Sequence, residues 1–465
     1  MMTFQDFQEE ASAGEEARRA AVLRAVGAHR ASEDYRTALV ADEYDHRRNV
    51  TVNEYVRKMF TLTGTPVEDY TASNNKIASN FFSRLNTQRV MYSLGNGVSF
   101  VDPFEAVRGV GDETREMLGE HFDHDLREAA YCACIHGRSY GFWNVDRMHV
   151  FPITQFAPLH DERSGALRAG VRFWRVAEGK PLNVVLYEED GYTEYRDPGK
   201  GRLEEESPKR AYVREVSYVP FDDVPEVTGE RNYGTLPVVE FFASRLKQST
   251  LIGMREAIDS YDLVRSGFAN DMQDCTQIYW LLENYGGMTQ ADLAKFRDTL
   301  RTQHIANVDT AAGGSVKPYT QDVPFQSRQA FLANIRAGIY EDFGALDVHT
   351  VAAGSTNDHI DMAYQAMDEN AADFEHWIGD GVSRLLALMG VEDRPIFKRN
   401  KVSNQPQQVQ MVVQEAPYLD HETVLRKLPN HTPDEVVAVM QRSEEEDAAR
   451  MGAGGAIVAP GQEEE

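Results

Sequence analysis

The chain has 465 residues, enough for two or more domains, each with its own core. Its 74 Asp and Glu against 48 Lys and Arg leave a net charge of −26, which argues against tight, sequence-independent DNA binding, because that works by neutralising phosphates with Lys and Arg. Three cysteines (Cys132, Cys134 and Cys275) point to a reducing compartment without a disulfide framework, and no uninterrupted apolar run reaches the ~18 residues of a membrane span. The N-terminal Met1-Met2-Thr3-Phe4-Gln5-Asp6 is acidic and lacks a signal-peptide pattern.

Residues 3 to about 60, rich in Ala, Glu and Arg, are predicted as helices. Residues 73–90 are predicted as another, with Ile77, Phe81, Phe82 and Leu85 on one face. Gly95 and Gly97 break that pattern, and residues 104–135 resume it. From Ser139 to Phe242 the pattern turns β-rich. Residues 171–176 alternate, residues 184–187 do so in part, and Ser164-Gly165, Asp190-Gly191 and Pro198-Gly199 read as hairpin turns.

The most informative stretch is residues 234–344. A short apolar strand, 236–242, leads into a helix predicted from Thr250 to about Leu282. Its apolar residues Leu251, Met254, Ile258, Tyr261, Val264, Phe268 and Met272 step by three and four, which makes one narrow stripe along roughly 50 Å. A helix of that shape suits packing beside copies of itself. Residues 278–282 either extend it or start a strand. A short helix over 290–302, a β-hairpin around Gly313-Gly314 spanning 304–319, and a returning helix over 327–343 complete a stalk with a tip. A loop over 347–355 ends at Ser355-Thr356-Asn357-Asp358, whose capping-box spacing opens a helix running to Met389. Gly379 and Gly381 are read as places where that helix bends. Residues 396–400 begin another β segment, Thr432-Pro433-Asp434-Glu435 starts a helix, and 443–465 reads as a disordered acidic tail.

Catalytic signatures are missing. There is no Gly-x-x-x-x-Gly-Lys-Ser/Thr, no His-Glu-x-x-His and no Gly-x-Ser-x-Gly. His121-Phe122-Asp123-His124-Asp125 and Asp358-His359-Ile360-Asp361 contain metal-ligand residue types but read as solvated helix faces, and Cys132-x-Cys134 as small buried apolar residues. Asp259, Asp262, Asp271 and Asp274 lie on the polar side of the long helix. Carboxylates so spaced hold Mg²⁺ in a metal-dependent nuclease, which is the alternative reading. The favoured reading is solvent- or channel-facing charge.

Four blocks carry a family resemblance. The first is Asn75-Lys76-Ile77-Ala78-Ser79-Asn80-Phe81-Phe82 followed by Tyr92-Ser93-Leu94-Gly95, and the second is Ile135-His136-Gly137-Arg138-Ser139-Tyr140-Gly141. The third runs from Gly234 to Phe241, continues with Ala257-Ile258-Asp259-Ser260-Tyr261-Asp262, and ends with Ser266-Gly267-Phe268-Ala269-Asn270-Asp271. The fourth is Phe397-Lys398-Arg399-Asn400, then Glu422-Thr423-Val424-Leu425 and Leu428-Pro429. In this order and spacing the chain, from about Asp34 to about Glu446, resembles the portal (head-to-tail connector) proteins of tailed double-stranded DNA bacteriophages of the long-tailed siphophage type.

The resemblance implies an α+β, mainly helical portal fold assembled as a ring of twelve. An N-terminal helical segment (1–30) precedes a wing (31–247 and 357–417), stem helices (248–276 and 324–343), a clip (277–323), a tunnel loop (344–356), crown helices (418–446) and the acidic tail (447–465). It implies stem packing through Leu251, Met254, Ile258, Tyr261, Phe268 and Met272, and docking at the clip through Arg297, Arg301 and His304. It places Asp347, Val348, His349, Thr350, Val351 and Gly354 along the channel, although the family's Ser-Gly pair reads Gly354-Ser355 here and leaves the loop register open. The implied role is structural, without catalytic residues, metal or cofactor. The implied partners are other copies of the chain, the terminase large subunit, head-tail adaptor proteins, major capsid and scaffold proteins, and double-stranded DNA passing through; no membrane is involved. The implied location is the portal vertex of the virion, and the host cytoplasm during assembly.

Overall fold

The computed structural model describes residues 2–60, 64–70, 72–101, 112–217, 226–274, 279–283, 315–319, 325–347, 357–400, 405–419 and 421–428, with a few single positions besides. Two compact units emerge: Met1–Ala345 with Met367–Asn400, and Leu346–Ala366 with Lys401–Glu465.

The first unit opens with four helices, α1 (Phe4–Ala11), α2 (Glu15–Arg30), α3 (Glu33–Asp45) and α4 (Val50–Glu54). Local chemistry sets three of their starts. Thr3 and Asp6 form a reciprocal capping box, Ser32 accepts from Tyr35 N, and Asn49 accepts from Val52 N. A small exposed hairpin follows, β1 (Lys58–Phe60) with β2 (Pro66–Glu68). Helix α5 spans Phe81–Leu94, so residues 73–80, predicted as helix, belong to neither helix nor strand. Next come β3 (Val98–Val101), α6 (Asp112–Leu118) and α7 (Phe122–His136). Gly137 ends α7 in the left-handed region (φ 87°), and an added Cβ there would stand 2.6 Å from the backbone of Gln248.

The β-rich region is as expected. Strands β4 (Arg138–Asn144), β5 (Arg147–Pro152), β6 (Phe156–His160), β7 (Leu167–Trp174), β8 (Leu182–Glu188), β9 (Gly191–Asp197), β10 (Glu204–Arg210), β11 (Val213–Ser217), β12 (Glu226–Arg231) and β13 (Val238–Phe242) follow in turn. β6 to β10 form a five-stranded antiparallel meander, and β13-β4-β5 form a second sheet. The meander shows why alternation matters. Val171 and Phe173 of β7, with Val184 and Leu186 of β8, join Phe7, Ala21, Val22, Ala25 and Val26 of α1 and α2 in one core. Val185 and Tyr187 point the other way and meet Phe142 and Phe151 of the second sheet.

Beyond β13 come α8 (Arg255–Asp274), β14 (Tyr279–Glu283), β15 (Ser315–Tyr319) and α9 (Phe325–Phe343). The helix predicted from Thr250 to about Leu282 is described over the 20 residues Arg255–Asp274, about 30 Å, and does not reach Leu282, because residues 279–283 are strand. β14 pairs antiparallel with β15, Tyr279 opposite Tyr319, which closes the insert at its base. The expected hairpin around Gly313-Gly314 thus has its second arm paired to residues 279–283; its first arm and most of the 290–302 helix lie outside the described residues.

Helix α10 (Asn357–Leu388) carries Phe374, Ile378, Val382, Leu385 and Leu386, each 0% exposed, into the main core with Leu126, Ala129 and Ala130 of α7. Gly381, read as a bend point, has a different reason: an added Cβ would lie 2.5 Å from the ring of the buried Phe241. β16 (Arg394–Phe397) pairs with β3. Arg399 then grips Glu375 through two nitrogens and Asp368 through a third contact, while Tyr92 donates to Asp368 and its carbonyl accepts from Asn400 N, so the first and fourth sequence blocks meet.

In the second unit, α11 (Gln405–Glu415) and α12 (His421–Lys427) are in contact. The helix start at Thr432 and the acidic tail lie outside the described residues.

Candidate functional site

The candidate site is the helix pair α8 and α9, where the residues expected to pack a stem concentrate. Leu251, Met254 and Ile258 are 2%, 6% and 2% exposed, yet their partners belong to the same chain: Phe81, Phe82 and Leu85 of α5, and Ile339, Tyr340 and Phe343 of α9. These three are core residues rather than a surface for neighbours. Tyr261 meets Phe81 edge-on at 5.0 Å between ring centroids. Phe268 meets Phe325 of α9 at 5.4 Å, and the Arg328 guanidinium lies 5.8 Å from the Phe268 ring. Met272 is 52% exposed.

Past Ile258, the buried face of α8 is polar. Asp262, Ser266 and Asn270 continue the four-residue steps from Ile258 and are 0%, 5% and 2% exposed. Each accepts a backbone amide of the non-helical segment 73–80. Ser79 N donates to Asp262 (3.0 Å), Ile77 N to Ser266 Oγ (3.0 Å) and Asn75 N to Asn270 Oδ1 (2.5 Å). The geometry is a matched repeat. Four helical residues advance ~6 Å and two extended residues advance ~6.7 Å, so side chains at i, i+4 and i+8 meet alternate amides of an antiparallel partner. The Asn49 side chain caps α4 with its oxygen and donates its amide to Asp262 (2.9 Å). Burial raises the carboxyl pKa of Asp262, opposed by its bonds from Ser79 and Asn49.

The other helix carboxylates are also engaged within the chain. Asp259 accepts from Tyr44 Oη (2.5 Å) and Thr51 Oγ1 (2.6 Å). Asp271 pairs with Arg328 (2.5 Å) and Arg57 (3.8 Å). Asp262 is buried and Asp259 and Asp271 are half-buried, and the three are not gathered for a metal, so the nuclease reading finds no support at these positions; the Asp274 side chain lies outside the described residues. Among the described residues no group of three or more His, Cys, Asp or Glu is placed to hold a metal ion. In the His121–Asp125 run, Asp125 takes two contacts of 2.8 Å from Arg147, and Asp123 pairs with Arg115. Cys132 and Cys134 are buried thiols, as expected, and burial pushes Cys134 up to about 11. The side chains of Asp358, His359 and Asp361 lie outside the described residues.

Asp347 is half-buried. Val348, His349, Thr350, Val351 and Gly354 of the proposed loop, and Arg297, Arg301 and His304 of the proposed tip, lie outside the described residues. The polar seam is not legible in the sequence because a buried run of Asp, Ser and Asn reads like a solvated face. Its one visible signal was the unbroken step of four from Ile258 to Asn270. Two further residues stand out on α9: Phe325 and Phe331 are 52% and 50% exposed. Phe331, Val264 and Gly267 line an open apolar groove of about 480 Å³ between the two helices.

Comparison with known proteins agrees with the sequence blocks. A portal protein of Clostridium phage phiCD119 is 25% identical over 215 residues, 44% of this chain and 48% of that protein, so the chain matches about half the length of this relative. The portal protein of Bacillus phage SPP1 is 22% identical over 386 residues, 77% of this chain and 73% of that one. A solved structure described as the neck of a native GTA particle computed with C12 symmetry aligns over 75% of this chain and 89% of that one, at 11% identity and a TM-score of 0.37. Residues 28–452 match the family described as phage portal protein, SPP1 Gp6-like, and the chain belongs to that family.

Proposed function

We propose that this protein forms a closed ring of twelve copies at one vertex of a phage capsid, the channel through which double-stranded DNA is packaged and later ejected. Its role is structural, not enzymatic. The observation that carries the reading is the family match across residues 28–452. The bare α9 supports it. Phe325, Phe331 and the groove beside them are apolar surface on a helix pair, of the kind a neighbouring copy covers. The net charge of −26 per chain supports a wall that repels phosphate and lets DNA slide. In this reading the clip (277–323) docks the terminase large subunit and then head-tail adaptor proteins, the wing meets capsid and scaffold proteins, and the loop over 344–356 rims the channel.

Electron microscopy and light scattering of the purified chain test the assembly. Closed rings are expected for the natural sequence. Phe331→Asp is expected to abolish them while leaving the circular dichroism of the chain unchanged, because Phe331 is half-exposed. A monomer at micromolar concentration, or intact rings in Phe331→Asp, overturns the proposed use of this face.

A further inference from the structure

The hairpin of β1 and β2 is bare along its strands and rigid at its base. Every residue of Lys58–Phe60 and Pro66–Glu68 is exposed. Met59 stands opposite Val67, and Phe60 opposite Pro66, so each face of the hairpin carries an apolar pair. Phe60 is 74% exposed, and with Tyr55, Met59, Val67 and Tyr70 it makes the densest run of exposed large apolar side chains among the described residues. A two-stranded hairpin on its own is marginally stable in water, and these pairs gain little from burial within the chain.

The feet of the hairpin, by contrast, are tied down. Asp69 N donates to Arg57 O (2.9 Å) and closes the base. The Arg57 guanidinium donates to Ser73 O (3.0 Å), and Lys76 Nζ reaches Asn53 O. Beyond Ser73 the returning chain is the segment whose amides bind Asp262, Ser266 and Asn270, so the polar seam fixes the second foot against α8. The Arg57 guanidinium also reaches Asp271, the carboxylate that Arg328 holds as well. Asp271 and Arg328 line the groove between α8 and α9, so the hairpin rises from the rim of that groove. Directional bonds thus position an apolar surface that no described residue of the same chain covers.

We propose that the hairpin is an arm that packs on a neighbouring copy, with Met59, Phe60 and Val67 against the apolar lining of that copy's α8–α9 groove, beside Val264, Gly267 and Phe331. The commitment to a second copy rests on continuity and shape. The arm shares Asp271 with the face assigned above to neighbours, so the two form one continuous surface. A head-to-tail contact in a closed ring joins two different patches. This chain presents a projecting one and a concave one, both apolar, and neither covers the other: Phe60 and Phe331 both remain exposed. The inference rests on the ring reading and adds which segment fills the groove. It also gives the polar seam a task, which is to hold the arm in register.

The test uses the full chain carrying Phe60→Cys together with Val264→Cys, assembled and then oxidised, beside each single variant. All carry Cys275→Ser, and the remaining native thiols, Cys132 and Cys134, are buried. A ladder of covalent dimers and larger multimers is expected from the double variant in rings and from neither single variant. Intact rings of the double variant with no ladder, or a cross-link confined within one chain, overturn the arm and leave ring formation standing. Absence of rings in the natural chain, seen by electron microscopy, overturns the ring reading itself and the arm with it. Phe60→Asp is expected to raise about tenfold the concentration at which half the rings dissociate, with Phe60→Leu near the natural value. Phe60 is so exposed that misfolding does not explain such a loss. An unchanged midpoint for Phe60→Asp overturns the proposal.

Discussion

Helix α8 and the part of α10 from Met367 onward both belong to the first unit, but they are held by opposite chemistry. α10 buries Phe374, Ile378, Val382 and Leu385 against apolar neighbours. α8, after Ile258, buries Asp262, Ser266 and Asn270 against backbone amides of residues 75–79. Apolar contact is non-directional, so many registers of α10 would satisfy it nearly as well. The polar seam is directional. A slip of one residue in segment 73–80 would turn its donors away from all three acceptors and strand them in a dry interface. The seam therefore specifies position more than it adds net stability. In a helix on which a neighbouring copy is proposed to pack, a defined axial position matters more than a few kcal/mol.

Substitutions at the two helices break this comparison at different strengths. The largest effect is expected at Phe374→Ala, which removes a fully buried ring from the main core and should cost about 4 kcal/mol, read as the shift in urea midpoint. Asp262→Ala should follow at about 3 kcal/mol, because it leaves the Ser79 amide and the Asn49 side chain without acceptors. The two differ in kind as well as size. Asp262→Ala should sharply increase hydrogen exchange at Ile77 and Ser79, whereas Phe374→Ala should loosen α7 and α10 instead. If Asp262→Ala leaves exchange in 75–79 unchanged, the seam does not hold that segment.

Within α10, Gly381→Ala should cost about 2 kcal/mol, since its Cβ collides with Phe241, even though Ala is the better helix former by about 1 kcal/mol. Gly379→Ala meets the Phe397 ring at 3.4 Å and Pro395 at 3.6 Å, ordinary contacts, and should be neutral within about 0.5 kcal/mol. Thermal denaturation of the two variants side by side decides whether close approach or bending explains these glycines. Equal losses would favour bending.

The smallest effect sharpens the contrast through pH. Burial raises Asp125, but the Arg147 and His124 contacts outweigh it and leave its pKa below the ordinary 3.8. Its stabilising contribution is present above that value and fades as pH falls through the lowered pKa. Asp262 has the reverse sign. Burial lifts its pKa above 3.8, so its contribution is fullest below 3.8 and is lost as pH rises through the raised value. Between about pH 3 and about pH 6, the stability of Asp125→Asn relative to the natural chain should fall, and that of Asp262→Asn should rise. Parallel slopes from urea titrations across that window would show that the two carboxylates are not in opposed environments.

Much of the fold is legible in local sequence signals. The meander follows from period-two alternation in β7 and β8, and its turns lie at Ser164-Gly165, Asp190-Gly191 and Pro198-Gly199 as read. The returning helix appears within two residues of its expected start, at Phe325. The four blocks identified the family. These are properties of neighbouring residues: pleat, turn chemistry and helical period act over a few positions and need no distant partner.

What the tertiary structure decided depended on partners far along the chain. Residues 73–80 have a helical pattern but give their amides to side chains 183 to 195 residues away, and so stay out of the helix. Asp259 and Asp262 look solvated in sequence, and only the arrival of Tyr44 and Asn49 compensates for the water they lose. Gly381 marks a close approach because Phe241 happens to cross there, and β15 pairs with β14, more than thirty residues earlier in the chain. A buried polar group and an exposed one are the same letter; the difference is whether a donor or acceptor from elsewhere replaces water, and that is a property of the folded chain.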